Sequence, residues 1–293
     1  MIFKDLYNNV KKKNKKISVV LPYGKEVLTA LENARKENIC NSILVGDKKK
    51  IIDSLKLVDA KQKDYEIIDI PESRKAANKA VKIVSSGKAD ALMKGKIETA
   101  TFMKAALDKE VGLRTGSMLT HIAAFELKKY HKMLFVTDGG IVIYPTIKEK
   151  IKIINNSINY LKRIGLNRPK IAVMAHREAV DPKVEATLDA AKLSKMNDRG
   201  QIKDAIIDGP FAFDNAISKK AAEVKGIESP VAGDADVLLV PDVVAGNLMA
   251  KSLMYMAESR SGGIVAGAKA PIILLSRADT AEMKLNSIVL GLQ

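Results

Sequence analysis

Ser276 and Arg277 follow the apolar run PIILL (271–275), in the stretch PIILLSRADTAEMK. A hydroxyl and a guanidinium at the tip of a buried strand raise a chemical question, because buried strand ends rarely carry an unpartnered arginine. Arg277 could be a salt bridge to Asp279 or Glu282, or it could hold an oxyanion bidentately. Ser276 has no GxSxG elbow around it and no histidine nearby in sequence, so it reads as a hydrogen-bond donor rather than a nucleophile.

Other positions offer the same kind of chemistry. In VGLRTGSMLTH (111–121), Arg114 and Thr115 lie between Gly112 and Gly116, a pattern suited to phosphate or carboxylate or to a plain surface loop. In LMKGKIETATF (92–102), Lys94-Gly95-Lys96 separates a strand from a helix that begins near Glu98. Glycine there allows close backbone approach, and the helix start offers free N–H groups to an anion. It is not a Walker loop, and an ordinary turn would look the same. Asp208-Gly209-Pro210, and Asp242 with Gly246 and Asn247, sit at two further strand ends. They could line a ligand or simply cap helices.

These residues need elements to position them. Short apolar runs at 17–21, 42–46, 65–70, 89–93, 134–137, 170–175, 204–209, 236–241 and 271–275 read as strands. Several are almost continuously apolar, as strands covered on both faces are. Between them lie amphipathic segments at 25–38, 73–84 and 146–165. The first puts Val27, Leu28 and Leu31 on one face, the second has Ser73 in an N-cap pattern, and the third opens on a Thr146/Glu149 capping box and closes on Gly165. The alternation defines an α/β fold with mostly parallel sheets, whose ligands sit beyond the strand C-termini.

The chain has 293 residues, enough for two domains. The weakly periodic stretch 109–121 marks a crossing, and the last β/α unit packs back on the first domain. The expected division is 1–118 plus 262–293, and 119–261. A net charge of +15 comes from 40 lysines and nine arginines, with 4% aromatics and no Trp. Lysine runs at 11–16 and 47–50 look like solvated faces, so nucleic acid is not the expected partner, although a polyanionic small molecule is favoured. No apolar run spans a membrane and the first residues do not form a secretory signal. The single cysteine, Cys40, fits a reducing cytoplasm, and the scattered histidines suggest no metal site.

Together SPVAGDADVLLVPDVVAGN, GAKAPIILLSRADT and MKGKIET resemble the phosphate acetyl/butyryltransferase family. GLRTGSMLTHIAAFEL and DGPFAFDNAIS are similar to its butyryltransferase members. The resemblance runs along nearly the whole chain in the same order. It implies two α/β/α domains like those of isocitrate and isopropylmalate dehydrogenases, with the active site in the interdomain cleft. The implied reaction is reversible transfer of a short acyl group, butyryl with acetyl as the alternative, from acyl-CoA to inorganic phosphate. Coenzyme A and phosphate would be substrates, with no permanently bound cofactor and no metal, and the protein would be a dimer or larger. A dehydrogenase of the related fold is the alternative of another class.

By this resemblance Ser276 would hydrogen-bond the CoA sulfur or the oxyanion, and Arg277 would bind phosphate. Lys94, Gly95, Arg114, Thr115, Asp208, Gly209, Asp242, Gly246 and Asn247 would line the site. The family's acetyltransferases carry an Asp seven residues after the Ser, where this chain has Met283. An arginine they use on the helix after AGN is here Met254, with Arg260 the nearest candidate. The base is thus Asp279, Glu282 or none.

Overall fold

The computed structural model describes residues 1 to 293 except Leu275. Two compact units emerge, one built from Phe3–Ser117 with Ser261–Gln293 and one from Met118–Arg260 with Met1–Ile2. They are called here the split unit and the inserted unit.

The split unit opens with α1 (Phe3–Val10), β1 (Lys15–Val20), α2 (Lys25–Lys36), β2 (Cys40–Gly46), α3 (Lys48–Lys56) and β3 (Glu66–Asp69). It continues through α4 (Ser73–Ser85), β4 (Ala91–Lys94) and α5 (Thr99–Ala106). The inserted unit holds β5 (Thr120–Leu127), β6 (Leu134–Thr137), α6 (Ile147–Arg163), β7 (Lys170–Met174), α7 (Glu185–Asp198) and β8 (Ile206–Phe211). Its remaining elements are α8 (Phe213–Ile217), α9 (Lys219–Val224), β9 (Val237–Leu239) and α10 (Val243–Met256). The chain then returns through β10 (Ser259–Ala266), β11 (Ile272–Ile273) and α11 (Ala281–Gly291).

In the split unit the strand order is β3-β2-β1-β4-β11-β10. The first five are parallel and β10 runs antiparallel to β11. In the inserted unit the order is β5-β6-β9-β7-β8, with only β5 antiparallel. The α/β class and mostly parallel pairing are therefore present in both. Near-continuous burial along β1, β2, β4, β6, β7 and β9 explains their unbroken apolar runs. The cores gather Phe3, Leu28, Leu31, Leu44 and Phe102 in one unit, and Phe125, Phe135, Phe211 and Leu238 in the other.

Local signals acted largely as their chemistry dictates. Thr146 forms the full capping box with Glu149, and Gly165 adopts φ 88° just beyond α6. Thr280 Oγ1 accepts the Met283 N–H at the start of α11. One reading is corrected: α4 has Glu72 at its N-cap with no side-chain cap, and Ser73 lies inside the first turn. The run 204–209 is shifted too, since β8 spans Ile206–Phe211 and contains Asp208, Gly209 and Pro210 rather than ending at them. The expected strand 271–275 is observed at Ile272–Ile273, with Leu275 outside the described residues. Strands β5 and β10 escape sequence detection because His121, paired alanines and Ser-Gly-Gly dilute their strand propensity. Among the described residues no helix is long and apolar enough to cross a membrane.

Candidate active site

Because β1, β4 and β11 are parallel neighbours, their C-terminal ends lie side by side. Three chain segments leave those ends: Tyr23–Val27 after β1, Lys94–Lys96 after β4, and Ser276-Arg277 after β11. Together with Lys284 of α11 they line one open cavity of about 230 Å³. This is the position that parallel-sheet topology assigns to a ligand.

The β1 end is tightly built. Leu21 is held at φ 47°, a left-handed conformation that costs a branched residue of order 1 kcal/mol and is maintained by its surroundings. Its carbonyl accepts the N–H groups of Tyr23 and Lys96 at 2.7 and 2.8 Å. Gly95 donates to the Val20 carbonyl at 2.9 Å, and a Cβ on Gly95 would stand only 2.2 Å from the Leu21 oxygen. The close approach that Gly95 permits is therefore to the neighbouring backbone, and it locks the Lys94–Lys96 turn onto β1.

Lys94 is the last residue of β4 and only 6% exposed. Its ammonium has no hydrogen-bond or ion-pair partner among the described residues. Burial first, and then the charges of Arg277 and Lys284, push its pKa below the ordinary lysine value. Lys284, 3% exposed, donates from Nζ to the Ser276 carbonyl at 3.4 Å and to the Asp279 carbonyl. Burial also lowers its pKa, partly offset by the charges of Asp279 and Glu26.

The Ser276-Arg277 turn is closed from within. The Asp279 carboxylate accepts the Ser276 N–H at 2.8 Å, and the Asp279 N–H reaches the Ser276 carbonyl at 3.3 Å. Asp279 thus shapes the turn through one oxygen of its carboxylate. Across the cavity, Glu26 Oε2 accepts the Ala281 N–H at 2.9 Å, joining the first turn of α2 to that of α11. Ser276 and Arg277 themselves are exposed, and Arg277 shows no ion pair among the described residues.

The remaining sequence candidates are not among the residues lining this cavity. Arg114 and Thr115 belong to the split unit and do not line this cavity. Thr115 Oγ1 donates to the Gly267 carbonyl at 2.7 Å and accepts the Ser117 N–H at 3.2 Å, so its hydroxyl secures the loop, while Arg114 is exposed. Asp208, Gly209, Asp242, Gly246 and Asn247 are in the inserted unit. Asp208 accepts from Ser194 Oγ and from the Gly209 N–H, and a Cβ on Gly209 would stand 2.7 Å from the Val173 oxygen. Asp242 caps α10 by accepting the Ala245 N–H at 2.9 Å. Gly246 packs against Gly139, where a Cβ would come within 2.6 Å of its Cα. Asn247 is exposed, with no side-chain hydrogen bond among the described residues.

Sequence reasoning missed Tyr23–Val27 and Lys284. Both left a signal: PYGK follows the first strand as the other tips follow theirs, and Lys284 is a lone cation in the apolar helix AEMKLNSIVLG. No group of three His, Cys, Asp or Glu converges as a metal site among the described residues.

A parallel α/β unit with cations gathered at its strand ends is the architecture of an anion-handling enzyme, and comparison with known proteins gives the class. Residues 72–292 match the family model described as phosphate acetyl/butaryl transferase. The chain is 47% identical to phosphate butyryltransferase of Clostridium acetobutylicum over 290 residues, 99% of this chain and 96% of that protein. It is 40% identical to phosphate acetyltransferase of Thermotoga maritima over 99% of each. A branched-chain phosphotransacylase from Enterococcus faecalis superposes with a TM-score of 0.87 at 29% identity, covering 94% of this chain and 97% of that one. A 4-hydroxythreonine-4-phosphate dehydrogenase from Klebsiella pneumoniae shares the fold alone, with a TM-score of 0.58 at 13% identity over 95% and 98% of the two chains. The chain belongs to the phosphate acetyl/butyryltransferase family.

Proposed function

We propose that this protein catalyses the reversible transfer of a short acyl group, butyryl in preference to acetyl, between coenzyme A and inorganic phosphate. The observation that carries the assignment of the site is Lys94: a buried cation without a partner among the described residues, in one cavity with Arg277 and Lys284. An isolated buried charge is costly, so the arrangement calls for an anion to complete it. Inorganic phosphate is the anion that the family's reaction requires.

In the forward direction a phosphate oxygen attacks the thioester carbonyl carbon. The C–O bond forms, the C–S bond breaks, and CoA leaves as the thiolate, which takes a proton from solvent. Arg277 and Lys94 hold the phosphate, and the Ser276 hydroxyl donates to the sulfur or to the carbonyl oxygen as negative charge develops there. Holding both reactants in line contributes several kcal/mol, roughly. With Asp279 committed to its turn, a phosphate dianion acts as nucleophile without a dedicated carboxylate base. Arg114 of the split unit, exposed and with its guanidinium unengaged among the described residues, is a proposed contact for the CoA substrate.

A cytoplasmic location and self-association complete the proposal. The second is supported by exposed Val244, Leu248, Tyr255 and Met256 along α10, which sedimentation would test. The activity is tested by following free thiol from acetyl-, propionyl-, butyryl- and isobutyryl-CoA with phosphate. Phosphate-dependent release with the highest kcat/KM for butyryl-CoA is expected. An acetyl-CoA optimum would move the assignment to the acetyltransferases, and no release from any of the four would end it.

A further inference from the structure

The first turn of α2 is unusual among the elements around this cavity because, among the described residues, no acceptor takes its N–H groups. Its N-cap is Gly24, with φ 99° and no side chain to accept a hydrogen bond. The first helical bond is that of the Leu28 N–H to the Gly24 carbonyl. The N–H groups of Lys25, Glu26 and Val27 precede it, and α2 offers them no carbonyl. All three residues line the cavity. By contrast, the facing helix α11 is capped by Thr280, and its Ala281 N–H is taken by Glu26.

A bare helix start alone is only a place where an anion could rest. Here a second observation points the same way: Lys94, 6% exposed and without a partner among the described residues, lines the same cavity. Among the described residues five cations, Lys25, Lys94, Lys96, Arg277 and Lys284, line it against one carboxylate, Glu26. That carboxylate is already turned to Ala281. Unpaired N–H groups at the positive end of a helix, in one cavity with a desolvated cation, are the ingredients of a phosphate seat.

We propose that the N-terminal turn of α2, Gly24 to Val27, is a phosphate-group subsite. Its backbone N–H groups bind a tetrahedral phosphate whose charge is balanced by Lys94. This deepens the acyltransferase reading and rests on it for the identity of the phosphate, which is the inorganic substrate or the phosphoryl group of the acyl phosphate product. The phosphates of coenzyme A have the same chemistry, and the experiment separates them. Gly24 is needed because a side chain at φ 99° is strained.

The test removes one N–H without disturbing the helix. Lys25 is the first helical residue, where proline is well tolerated and its missing N–H is the only deletion from the backbone. Lys25→Pro is compared with Lys25→Ala, which removes the same side-chain charge and keeps the N–H. Binding of inorganic phosphate and of coenzyme A is measured separately by calorimetry, so the result does not depend on turnover.

Lys25→Pro is expected to bind inorganic phosphate about tenfold more weakly than Lys25→Ala, with equal affinity for coenzyme A. Equal phosphate affinity in the two variants would overturn the proposal, and so would weakening confined to coenzyme A. As a check on the unaltered protein, the amide resonances of Lys25, Glu26 and Val27 should shift as inorganic phosphate is titrated in. Shifts confined to other residues would reject the subsite even if Lys25→Pro did not fold. Failure of the acyltransferase reading would look different: phosphate would still move these amides, but no acyl-CoA would release thiol.

Discussion

Two buried lysines show how differently this chain uses one residue type. Lys150, on α6 of the inserted unit, is 5% exposed and meets Asp189, 3% exposed, at 2.9 Å. Lys94, in the split unit, is as deeply buried and meets no carboxylate among the described residues. The pattern extends to their surroundings. In the inserted unit Lys132 and Lys170 converge on Asp234, whose pKa they drive far below the carboxylate range against the opposing effect of burial. Asp242 and Asp208 there are consumed by a helix cap and a strand contact. In the split unit the cations at the strand ends face a cavity. A charge the protein satisfies for itself holds the fold together, and in the proposed function a charge left unsatisfied among the described residues is completed by a ligand.

The largest way to sharpen the contrast is to break the satisfied pair. Asp189→Ala leaves Lys150 buried without its partner and should cost about 3–5 kcal/mol of stability. The fall in melting temperature should come with an unchanged KM for phosphate in the protein that remains folded. A raised phosphate KM would show that the two regions are not separable.

Arg277→Lys tests the other side. Lysine keeps the charge and loses the bidentate fork, so the KM for phosphate should rise about tenfold or more, with stability nearly unchanged. An unaltered KM would remove Arg277 from phosphate binding. The smallest effect is expected from Asp242→Ala, which deletes an N-cap worth about 1 kcal/mol and should leave phosphate kinetics as they were. A larger loss in kcat/KM would return Asp242 to the site.

Much of the fold was legible because parallel strands buried on both faces announce themselves as apolar runs, and because Thr146 and Gly165 cap their helix by local chemistry alone. β5 and β10 were not legible, since their pairing is supplied by distant neighbours rather than by their own composition. At the site, Ser276, Arg277 and Lys94 could be read from strand ends. The engagement of Asp279 with its own turn, the backbone contact that makes Gly95 necessary, and the helix packing of Gly246 could not. Each depends on which atom lies opposite in space. The same residue types serve a cap, a close backbone crossing and a ligand contact, so type and spacing alone leave the three undivided.

Lys94 carries the central claim, and its titration tests it most directly. Its pKa lies below the ordinary lysine value because of burial and of the neighbouring cations. In the proposed site the protonated form is the one that binds phosphate, so the KM for phosphate should rise as pH increases through that lowered pKa. In the same window the ligand-free protein should gain stability, because the unfolded chain holds more protons there than the folded one. Lys94→Arg stays charged and should flatten that alkaline rise. Lys94→Met, without charge at any pH, should raise the KM for phosphate at neutral pH by about tenfold or more while the melting temperature stays the same or increases. The decisive measurement is phosphate-dependent thiol release from butyryl-CoA by wild type and Lys94→Met at neutral pH. The account predicts a large rise in phosphate KM without loss of stability, and an unchanged KM in Lys94→Met would contradict it.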